Sequence, residues 1–374
     1  MAKKIAFIKS GAFSHTNERT LQALTREFPE LKIDVIDVER DLVQTKGLGN
    51  LLTVMKMYGL DILLGKKKPW ECLIRTTHIF KTIKTAAINR LTKDDYAFSF
   101  QTQSLFDASA PGLPHFVYTD HTHLANLDNP IFDRNKLFPT AWVQLEKTIY
   151  HNATLNFTMS HNISKSMIKD YACDPRKVVC VYAGSNAIRD NVKIDPRKYA
   201  NKHILFVGVN WVMKGGPELA GAFKKVLQVH PDAQLTIVGC SPQLDLPNCH
   251  VVGRIPVEEV GRYYEQASVF CLPTRTEALG IVFIEALTQK LPIVANNIEA
   301  VPDFIEHGKT GYLVEPNNIE QLANALLDLI GDPKKCQAFG ERGYHIVAEK
   351  YSWEKVGARL KENILSAMNG RAFN

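Results

Sequence analysis

Long uncharged apolar stretches are missing from this 374-residue sequence. No segment approaches the ~20 apolar residues that a membrane-spanning helix needs. The first residues, Met1–Ile5, run directly into a strand-like pattern, without the apolar region of roughly 7 to 15 residues that marks a secretory signal. We therefore expect a cytoplasmic chain.

Closely spaced cysteine pairs are also missing. The seven cysteines include no Cys-x-x-Cys sequence, and an odd, scattered set favours free thiols over a disulfide framework. Three Asn-x-Ser/Thr sequences, at Asn152, Asn156 and Asn162, are then coincidental, because glycosylation requires the secretory route. No repeat of about 20 to 50 residues is present, which argues against solenoids and propellers.

A large excess of one charge is missing as well. The sequence has 45 Lys and Arg against 39 Asp and Glu, a net charge of +6, which is too small for a typical nucleic-acid binder. Residues 51–90 account for all of this excess, since they contain eight basic and two acidic residues together with many apolar ones. That combination predicts contact with anionic lipid at the inner face of a membrane. It equally fits a solvated helical face beside its own core.

What is present is a regular alternation of β-rich apolar runs and helical patterns. It predicts an α/β fold of two Rossmann-like domains, 1–187 and 188–352, with parallel sheets facing across a cleft. The charged stretch 184–202 is the expected linker. The predicted strands are Lys4–Ile8, Ile33–Val38, Tyr96–Phe100, Phe116–Thr119, Leu155–Met159, Val178–Val181, His203–Val207, Gln234–Val238, His250–Val252, Val269–Leu272 and Ile293–Ala295. The predicted helices include Pro217–Val229, Ile319–Leu329 and Trp353–Met368.

The segment Thr274–Leu287 carries the most informative polar residues. It follows a strand pattern and ends in a helical one, so the turn near Gly280 lies where a strand passes into a helix. Free backbone N–H groups and the helix dipole form an anion site there, and Gly280 lets a phosphate approach closely. Glu285 lies about 7.5 Å further along the helix, which suits a ribose. Glu277 precedes the helix and is expected to face the group beyond the β-phosphate.

Glu277 and Glu285, with seven residues between them, resemble the E-x7-E motif of retaining glycosyltransferase family 4, which has the GT-B fold. Further similar segments are Pro273-Thr274, Pro292–Ala295, Val301–Ile305, His307–Val314, Phe206-Val207-Gly208, Lys214-Gly215-Gly216 and Ser160–Ser164. The resemblance is strongest over about residues 150 to 355. It implies that the C-terminal domain binds a nucleotide-sugar, that the N-terminal domain binds the acceptor, and that the last helix, 353–374, returns to the N-terminal domain.

The resemblance also implies which residues bind the donor diphosphate. Lys214 matches the family's diphosphate-binding lysine, and an ammonium group is suited to neutralise a departing nucleotide. Most family members have an arginine just after the Val-Gly turn, where this sequence has Val209, Asn210 and Trp211. We therefore expect the diphosphate to depend more on this loop and on the backbone N–H groups of 279–281 (Leu279, Gly280, Ile281), or on another cation such as Arg254 or Lys309.

In the N-terminal domain, the segment Val117–His123 ends a strand and is expected to project into the cleft. The resemblance implies that His121 approaches the donor sugar, where a neutral imidazole can hydrogen-bond a hydroxyl group. An ordinary histidine with internal hydrogen bonds is the alternative. Gly11, after the first strand, corresponds to the family's glycine loop near the donor phosphates.

The resemblance implies a retaining hexosyltransferase whose donor is a UDP- or GDP-sugar, and we expect it to need no metal and no cofactor besides that donor. Lys214 and Gly280 stabilise the leaving diphosphate, while Glu277 and His121 orient the sugar. The acceptor is expected to be a lipid-linked or envelope glycan, because residues 51–90 are both basic and apolar. Closure about the linker is expected to bring His121 toward Glu277 and to exclude water.

Two other functions remain open from the sequence. Asp120, His121 and His123 could belong to a metal-dependent hydrolase, although no further ligands cluster with them in sequence. The missing arginine also fits a catalytically silent protein that binds nucleotide-sugars. A GT-B epimerase or phosphorylase fits the spacing around Glu277 less well.

Overall fold

A computed structural model describes residues 3–11, 16–42, 47–185 and 194–370 of the chain. Contacts divide the chain into two compact units: 1–184 together with 353–374 (the N-terminal unit), and 185–352 (the C-terminal unit). Each unit contains a six-stranded parallel sheet with helices between its strands. The predicted α/β class with two parallel sheets is therefore confirmed.

The N-terminal unit has the strand order β2-β1-β3-β4-β5-β6, with every pair parallel. Its strands are β1 (Lys4–Lys9), β2 (Lys32–Asp37), β3 (Tyr96–Thr102), β4 (His115–Thr119), β5 (Leu155–Thr158) and β6 (Val178–Cys180). Its helices are α1 (Thr16–Glu27), α2 (Leu48–Leu63), α3 (Pro69–Cys72), α4 (Thr77–Arg90), α5 (Thr140–Asn152), α6 (His161–Lys169) and α12 (Trp353–Met368). Shorter helical turns lie at Val38–Leu42, His123–Asp128, Arg134–Lys136 and Pro175–Lys177.

The last helix, α12, belongs to the N-terminal unit. Its residues at four-residue spacing, Val356, Leu360 and Ile364, are fully buried, which is the apolar stripe expected of an amphipathic helix. α12 packs against α1, and the Arg26 side chain donates to the Trp353 carbonyl at 3.0 Å. The N-terminal unit is thus built from two separate parts of the chain.

The C-terminal unit has the strand order β12-β11-β10-β7-β8-β9. Its strands are β7 (His203–Val207), β8 (Gln234–Val238), β9 (Cys249–Gly253), β10 (Val269–Leu272), β11 (Ile293–Asn296) and β12 (Gly311–Val314). Its helices are α7 (Gly216–Val229), α8 (Val257–Gln266), α9 (Ile281–Thr288), α10 (Ile319–Ile330) and α11 (Pro333–Lys350), with turns at Pro196–Asn201 and Val301–Asp303. The order reverses between β7 and β10, and ligands of open α/β sheets bind at the carboxyl ends of strands at such a reversal.

Two expectations about this unit need correction. Strand β12 was not among the predicted strands, because four residues between turns give too little alternation to recognise. The expected linker 184–202 was too long: 186–193 lie outside the described residues, but Lys198 and Tyr199 are buried in the short helix that follows. Asp195 caps this helix by accepting from the Arg197 N–H at 3.0 Å. The charged residues of this stretch therefore belong to the start of a helix and not to a connecting segment.

Among the described residues, no helix is long and apolar enough to cross a bilayer.

Candidate functional site

The loops after β7 and β10 form the centre of the candidate site in the C-terminal unit. These strands pair directly, with Val269 opposite Ile204 and Phe270 opposite Leu205, so their carboxyl ends emerge side by side. The two loops are bonded to each other, because the Arg275 N–H donates to the Met213 carbonyl at 2.9 Å. Lys214 in the first loop and Glu277 in the second are thereby brought together.

Glu277 lies at the centre of this site and accepts hydrogen bonds from two groups. One carboxylate oxygen accepts from the Lys214 ammonium at 2.6 Å, and the other accepts from the Gly280 N–H at 3.0 Å. The side chain of Glu277 is 11% exposed and that of Lys214 is 24% exposed. The two donors that the sequence analysis assigned to a diphosphate are therefore close together, and in this structure both bind a carboxylate.

Gly280 is the residue that starts α9. Its φ of +67° lies in the left-handed region, which favours glycine. An added Cβ would lie 2.5 Å from the Phe304 ring, so packing as well as backbone geometry demands glycine here. The N–H groups of Ile281 and Val282 open the helix and, as at any helix start, have no carbonyl one turn back to accept from them. This end of α9 can therefore stabilise an anion.

A second glycine lets the two loops approach each other. Gly215 has a φ of +75°, and a Cβ on it would lie 1.8 Å from the Pro273 carbonyl oxygen. Arg275 also ties the loops together, because its guanidinium pairs with the largely buried Glu218 at the start of α7. The position of Lys214 is thus fixed by contacts on both sides of its backbone.

Glu285 lies on α9, one turn beyond the site. Its carboxylate accepts from the Tyr264 hydroxyl at 3.0 Å, and burial raises its pKa. The side chain is partly buried but not sealed off. Such a carboxylate can still accept a further hydrogen bond, as binding to a ribose hydroxyl requires.

The other predicted donor-binding residues differ in their placement. Leu279 is partly buried, and Ile281 is exposed beside Gly280. Asn210 shapes its own loop, with its side-chain oxygen accepting from the Met213 N–H at 3.0 Å. Arg254 follows β9 at the correct edge of the sheet and is exposed. Lys309 precedes β12 and so lies at the opposite edge, which makes the expectation that it assists the diphosphate wrong.

Sequence reasoning missed the residues that hold the second loop. Glu299 accepts from the Thr276 hydroxyl at 3.0 Å and from the Glu277 N–H. Asn296, at the end of β11, donates to the carbonyls of Pro273 and Thr274 at 2.9 and 3.0 Å. Polar residues directly after a buried strand could have revealed them, because β11 ends at the same edge as its neighbour β10.

His121 lies in the N-terminal unit, directly after β4, and lines a cavity of about 380 Å³. Its Nε2 accepts from the Asn126 side-chain amide at 3.1 Å, which places the ring proton on Nδ1. Burial, together with the charge of Arg75, lowers its pKa to about 4. His121 is therefore neutral near pH 7 and keeps one N–H group as a donor. Asp120 lines the same cavity, and burial raises its pKa to about 6.

The alternative of a metal-dependent hydrolase gains no support from this arrangement. The Nε2 atom of His123 accepts from the Phe138 N–H at 2.7 Å, and that of His121 is also engaged. Both lone pairs that a metal would need are thus in use. In the described part of the chain, no group of three or more His, Cys, Asp or Glu side chains could hold a metal ion.

Gly11, the other predicted residue of this unit, follows β1. Its φ is +57°, and its carbonyl accepts from the side chains of Lys9 and Asn17, each at 3.1 Å. It is therefore part of a glycine turn at the carboxyl edge of the sheet. The residues that follow it, 12–15, lie outside the described residues.

The basic segment 51–90 forms helices α2, α3 and α4, and its charges have different environments. Three of its eight cations face inward: Lys67 donates to the Lys136 carbonyl, Arg75 lines the cavity, and Lys84 pairs with Asp107 at 3.0 Å. The exposed cations include Lys56, Lys66, Lys68 and Lys81. Opposite the buried stripe of α2, large apolar side chains are exposed: Leu48, Leu52, Met55 and Leu63.

Comparison with known proteins shows which family the C-terminal part of this chain is similar to. Residues 188–346 match the family model for glycosyl transferases group 1. Over 167 residues the chain is 34% identical to the GDP-mannose-dependent alpha-(1-6)-phosphatidylinositol monomannoside mannosyltransferase of Mycolicibacterium smegmatis, a match that covers 40% of this chain and 44% of that protein. The chain thus spans less than half the length of this curated relative.

Solved structures match over nearly the whole chain. Sucrose-phosphate synthase from Thermosynechococcus elongatus aligns with a TM-score of 0.70 at 16% identity, covering 98% of this chain and 100% of that one. A glycosyltransferase from Rickettsia africae aligns with a TM-score of 0.61 at 16% identity, covering 99% and 100%. These likenesses show the fold.

Proposed function

We propose that the chain is a retaining hexosyltransferase of the family 4 type, which has the GT-B fold. The match of residues 188–346 to the group 1 glycosyl transferases supports this proposal. The donor of this transferase is a nucleotide diphosphate sugar, held by the C-terminal unit, and its acceptor is held by the N-terminal unit. The observation that carries this proposal is the convergence of Lys214, Glu277 and the start of α9 at the reversal of strand order between β7 and β10.

The donor diphosphate takes the place that the Glu277 carboxylate occupies in this structure. Lys214 and the N–H groups at the start of α9 then stabilise the charge that develops as the nucleotide departs. Glu277, released from one or both of these donors, turns toward the hexose and orients it. Glu285 accepts from the ribose hydroxyls, with Tyr264 fixing its orientation.

The transfer is proposed to retain configuration at the sugar carbon and to need no metal. The acceptor oxygen attacks from the face that the diphosphate leaves, and the departing phosphate oxygen takes the acceptor's proton. His121, neutral and with its Nδ1 proton available, donates a hydrogen bond to a sugar hydroxyl. The described residues supply cationic and N–H groups for the diphosphate, which is the role that a metal ion has in other transferases.

We further propose that the acceptor is lipid-linked and that the chain contacts the inner membrane face through 51–90. The exposed apolar stripe of α2, with Leu52 at 64% and Leu63 at 82% exposure, lies on the segment that carries Lys56, Lys66 and Lys68. Apolar groups beside cations suit the interface of anionic lipid. The relative from Mycolicibacterium smegmatis supports the idea, because its name includes phosphatidylinositol monomannoside, which is a lipid.

Vesicle sedimentation tests the membrane contact. At low salt, the chain is expected to sediment with vesicles containing anionic lipid, and Leu52→Glu is expected to weaken this binding. Val257→Glu is the matched control, since Val257 is an exposed apolar residue of the C-terminal unit. Absence of binding, or equal effects of the two variants, would remove the membrane proposal and leave the transferase proposal intact.

The donor proposal is tested by binding UDP-, GDP- and ADP-sugars to the chain and to two variants. Glu285→Ala is expected to weaken binding of the matching donor about tenfold, because one charge-assisted hydrogen bond is worth about 1.5–3 kcal/mol. Glu277→Ala is expected to keep donor binding, since it frees Lys214 and the Gly280 N–H, while transfer is lost. Glu341→Ala, an exposed glutamate on α11, is the control. Absence of binding to any nucleotide-sugar would refute the proposal, and binding without transfer would favour the catalytically silent alternative.

A further inference from the structure

The cavity beside His121 contains a guanidinium group that has no ion-pair partner in the part of the chain that the structure describes. Arg75 lies between α3 and α4, and its side chain reaches the cavity wall. Its guanidinium carbon lies 4.7 Å from the centre of the Phe138 ring and 5.9 Å from that of Trp142. Its Nη1 donates to the Glu71 carbonyl at 2.7 Å. Within the described residues, no carboxylate forms an ion pair with it.

One carboxylate that lines the same cavity, Glu146, is already engaged. Its Oε1 accepts from the His123 N–H and from the Tyr150 hydroxyl, both at 2.9 Å, while its Oε2 accepts from the Tyr171 hydroxyl. Burial raises its pKa to about 7, so near neutral pH it carries only part of a negative charge. Glu146 therefore does not neutralise Arg75 fully.

Asp120, the other carboxylate of the lining, is largely ionised near neutral pH because its pKa is about 6, but within the described residues it forms no ion pair with Arg75. Burial keeps His123 neutral by lowering its pKa to about 3. Lys136 lies at the exposed rim of the cavity and adds a second cation. A largely buried charge is expected to have a partner, and the planar guanidinium fork matches two oxygens of one phosphate group.

We propose that this cavity binds a phosphate group of the acceptor, and that Arg75 is the residue that recognises it. Phe132, Phe138 and Trp142 supply flat apolar walls for the ring faces of a polyol. Asp120, at the strand end of the same cavity, supplies acceptors for its hydroxyl groups. The acceptor class is therefore a phosphorylated polyol, either free or as the headgroup of a lipid. That the bound molecule is the acceptor of a transfer rests on the proposed function. Its binding to the cavity does not, because binding requires no donor.

Calorimetric titration of the full chain with myo-inositol 1-phosphate and with myo-inositol tests the inference. We expect the phosphorylated probe to bind at least tenfold more tightly than the neutral one, which is the effect of one charge-assisted hydrogen bond. Arg75→Gln is expected to abolish this difference, and Arg75→Lys to retain part of it. Arg90→Gln, which changes an exposed arginine on α4, is the matched control. Equal binding of both probes to the unaltered chain, or an unchanged preference in Arg75→Gln, would overturn the proposal.

A second readout needs no folded variant. The indole N–H resonance of Trp142, which lines the cavity, is expected to shift on titration with the phosphorylated probe, whereas that of Trp211 in the C-terminal unit is not. A stationary Trp142 resonance would overturn the proposal even if Arg75→Gln fails to fold. A short-chain phosphatidylinositol distinguishes the two sources: tenfold tighter binding than the free polyol phosphate identifies a lipid headgroup, and equal binding identifies a soluble acceptor. Nucleotide-sugar binding, measured in parallel, is expected to be unchanged in Arg75→Gln, so failure of the donor proposal would be seen separately.

Discussion

Replacing Gly280 by alanine tests the geometry on which the donor site depends. The substitution forces a Cβ into a left-handed backbone conformation, which costs about 1 kcal/mol. It also places that Cβ 2.5 Å from the Phe304 ring. This ring cannot yield easily, because it lies between Phe283 and Tyr351, with ring centres 5.6 and 5.0 Å away. Overpacking of this kind costs a further ~1–3 kcal/mol, so the C-terminal unit is expected to lose about 2–4 kcal/mol of stability.

Gly308 provides a matched control for this experiment. Its φ is +74°, but a Cβ there would meet nothing within 4 Å. Gly308→Ala is therefore expected to cost only the backbone strain, about 1 kcal/mol. Hydrogen exchange of peptides from β7, β10 and β11 measures the free energy of unfolding of this unit. Phe304→Leu, combined with Gly280→Ala, is expected to recover part of the packing cost.

Equal losses for the two glycine variants would refute this reasoning. They would mean that the loop before α9 adapts to a side chain without resistance, so that the position of the Gly280 N–H is not fixed by its surroundings. Donor affinity supplies an independent check. Gly280→Ala is expected to weaken nucleotide-sugar binding, whereas Gly308→Ala, on the opposite edge of the sheet, is expected to leave it unchanged.

Three further predictions concern other parts of the chain. Glu299→Ala is expected to lower the transfer rate about tenfold with little change in donor affinity, because it frees the loop that positions Glu277; steady-state kinetics measure both, and a change confined to affinity would contradict the prediction. Burial lowers the pKa of His115 to about 4, below its unfolded value near 6.5, so its contribution to stability is lost as pH falls from about 6.5 toward 4. His115→Asn is expected to reduce this pH dependence by up to about 1.4 kcal/mol per pH unit, as urea unfolding at several pH values can show; an unchanged slope would argue against a buried neutral imidazole. Leu360→Ala is expected to cost the N-terminal unit about 2–5 kcal/mol, and hydrogen exchange would contradict this if only peptides of the C-terminal unit lost protection.

The sequence was sufficient to predict most of the fold. His203–Val207, Gln234–Val238 and Val269–Leu272 have the predicted bounds, as does the helix Trp353–Met368, because continuous buried strands and amphipathic helices leave strong periodic patterns. The order of the strands in each sheet could not be read from these patterns. That order decides which loops meet. The position of Lys309 was missed for a different reason: strand β12, which it precedes, was not predicted.

The candidate site was predicted as a set of residues but not as a set of contacts. Lys214 and Glu277 are 63 residues apart in sequence, and nothing in their spacing shows that they bond each other. The sequence also did not show whether a charged side chain points toward solvent or toward the interior. Lys67 and Arg75 belong to a basic segment that suggested a solvated or membrane-facing surface, yet both turn inward, because their long alkyl stems and cationic heads can pack against Phe138. Whether such a residue lies at a surface depends on tertiary contacts that local sequence does not determine.

The position of α12 has a consequence for the order of events during synthesis. The N-terminal unit lacks the helix that covers α1 until residues 353–368 have left the ribosome, which happens only after all of 185–352 has been made. The apolar surface of the first 184 residues that α12 later covers is therefore exposed during this time. The C-terminal unit, whose sequence is continuous, can already fold. A nascent chain of this protein is expected to depend on chaperones most in that interval. A stop codon placed just before Trp353 is expected to give a chain that keeps this apolar surface exposed.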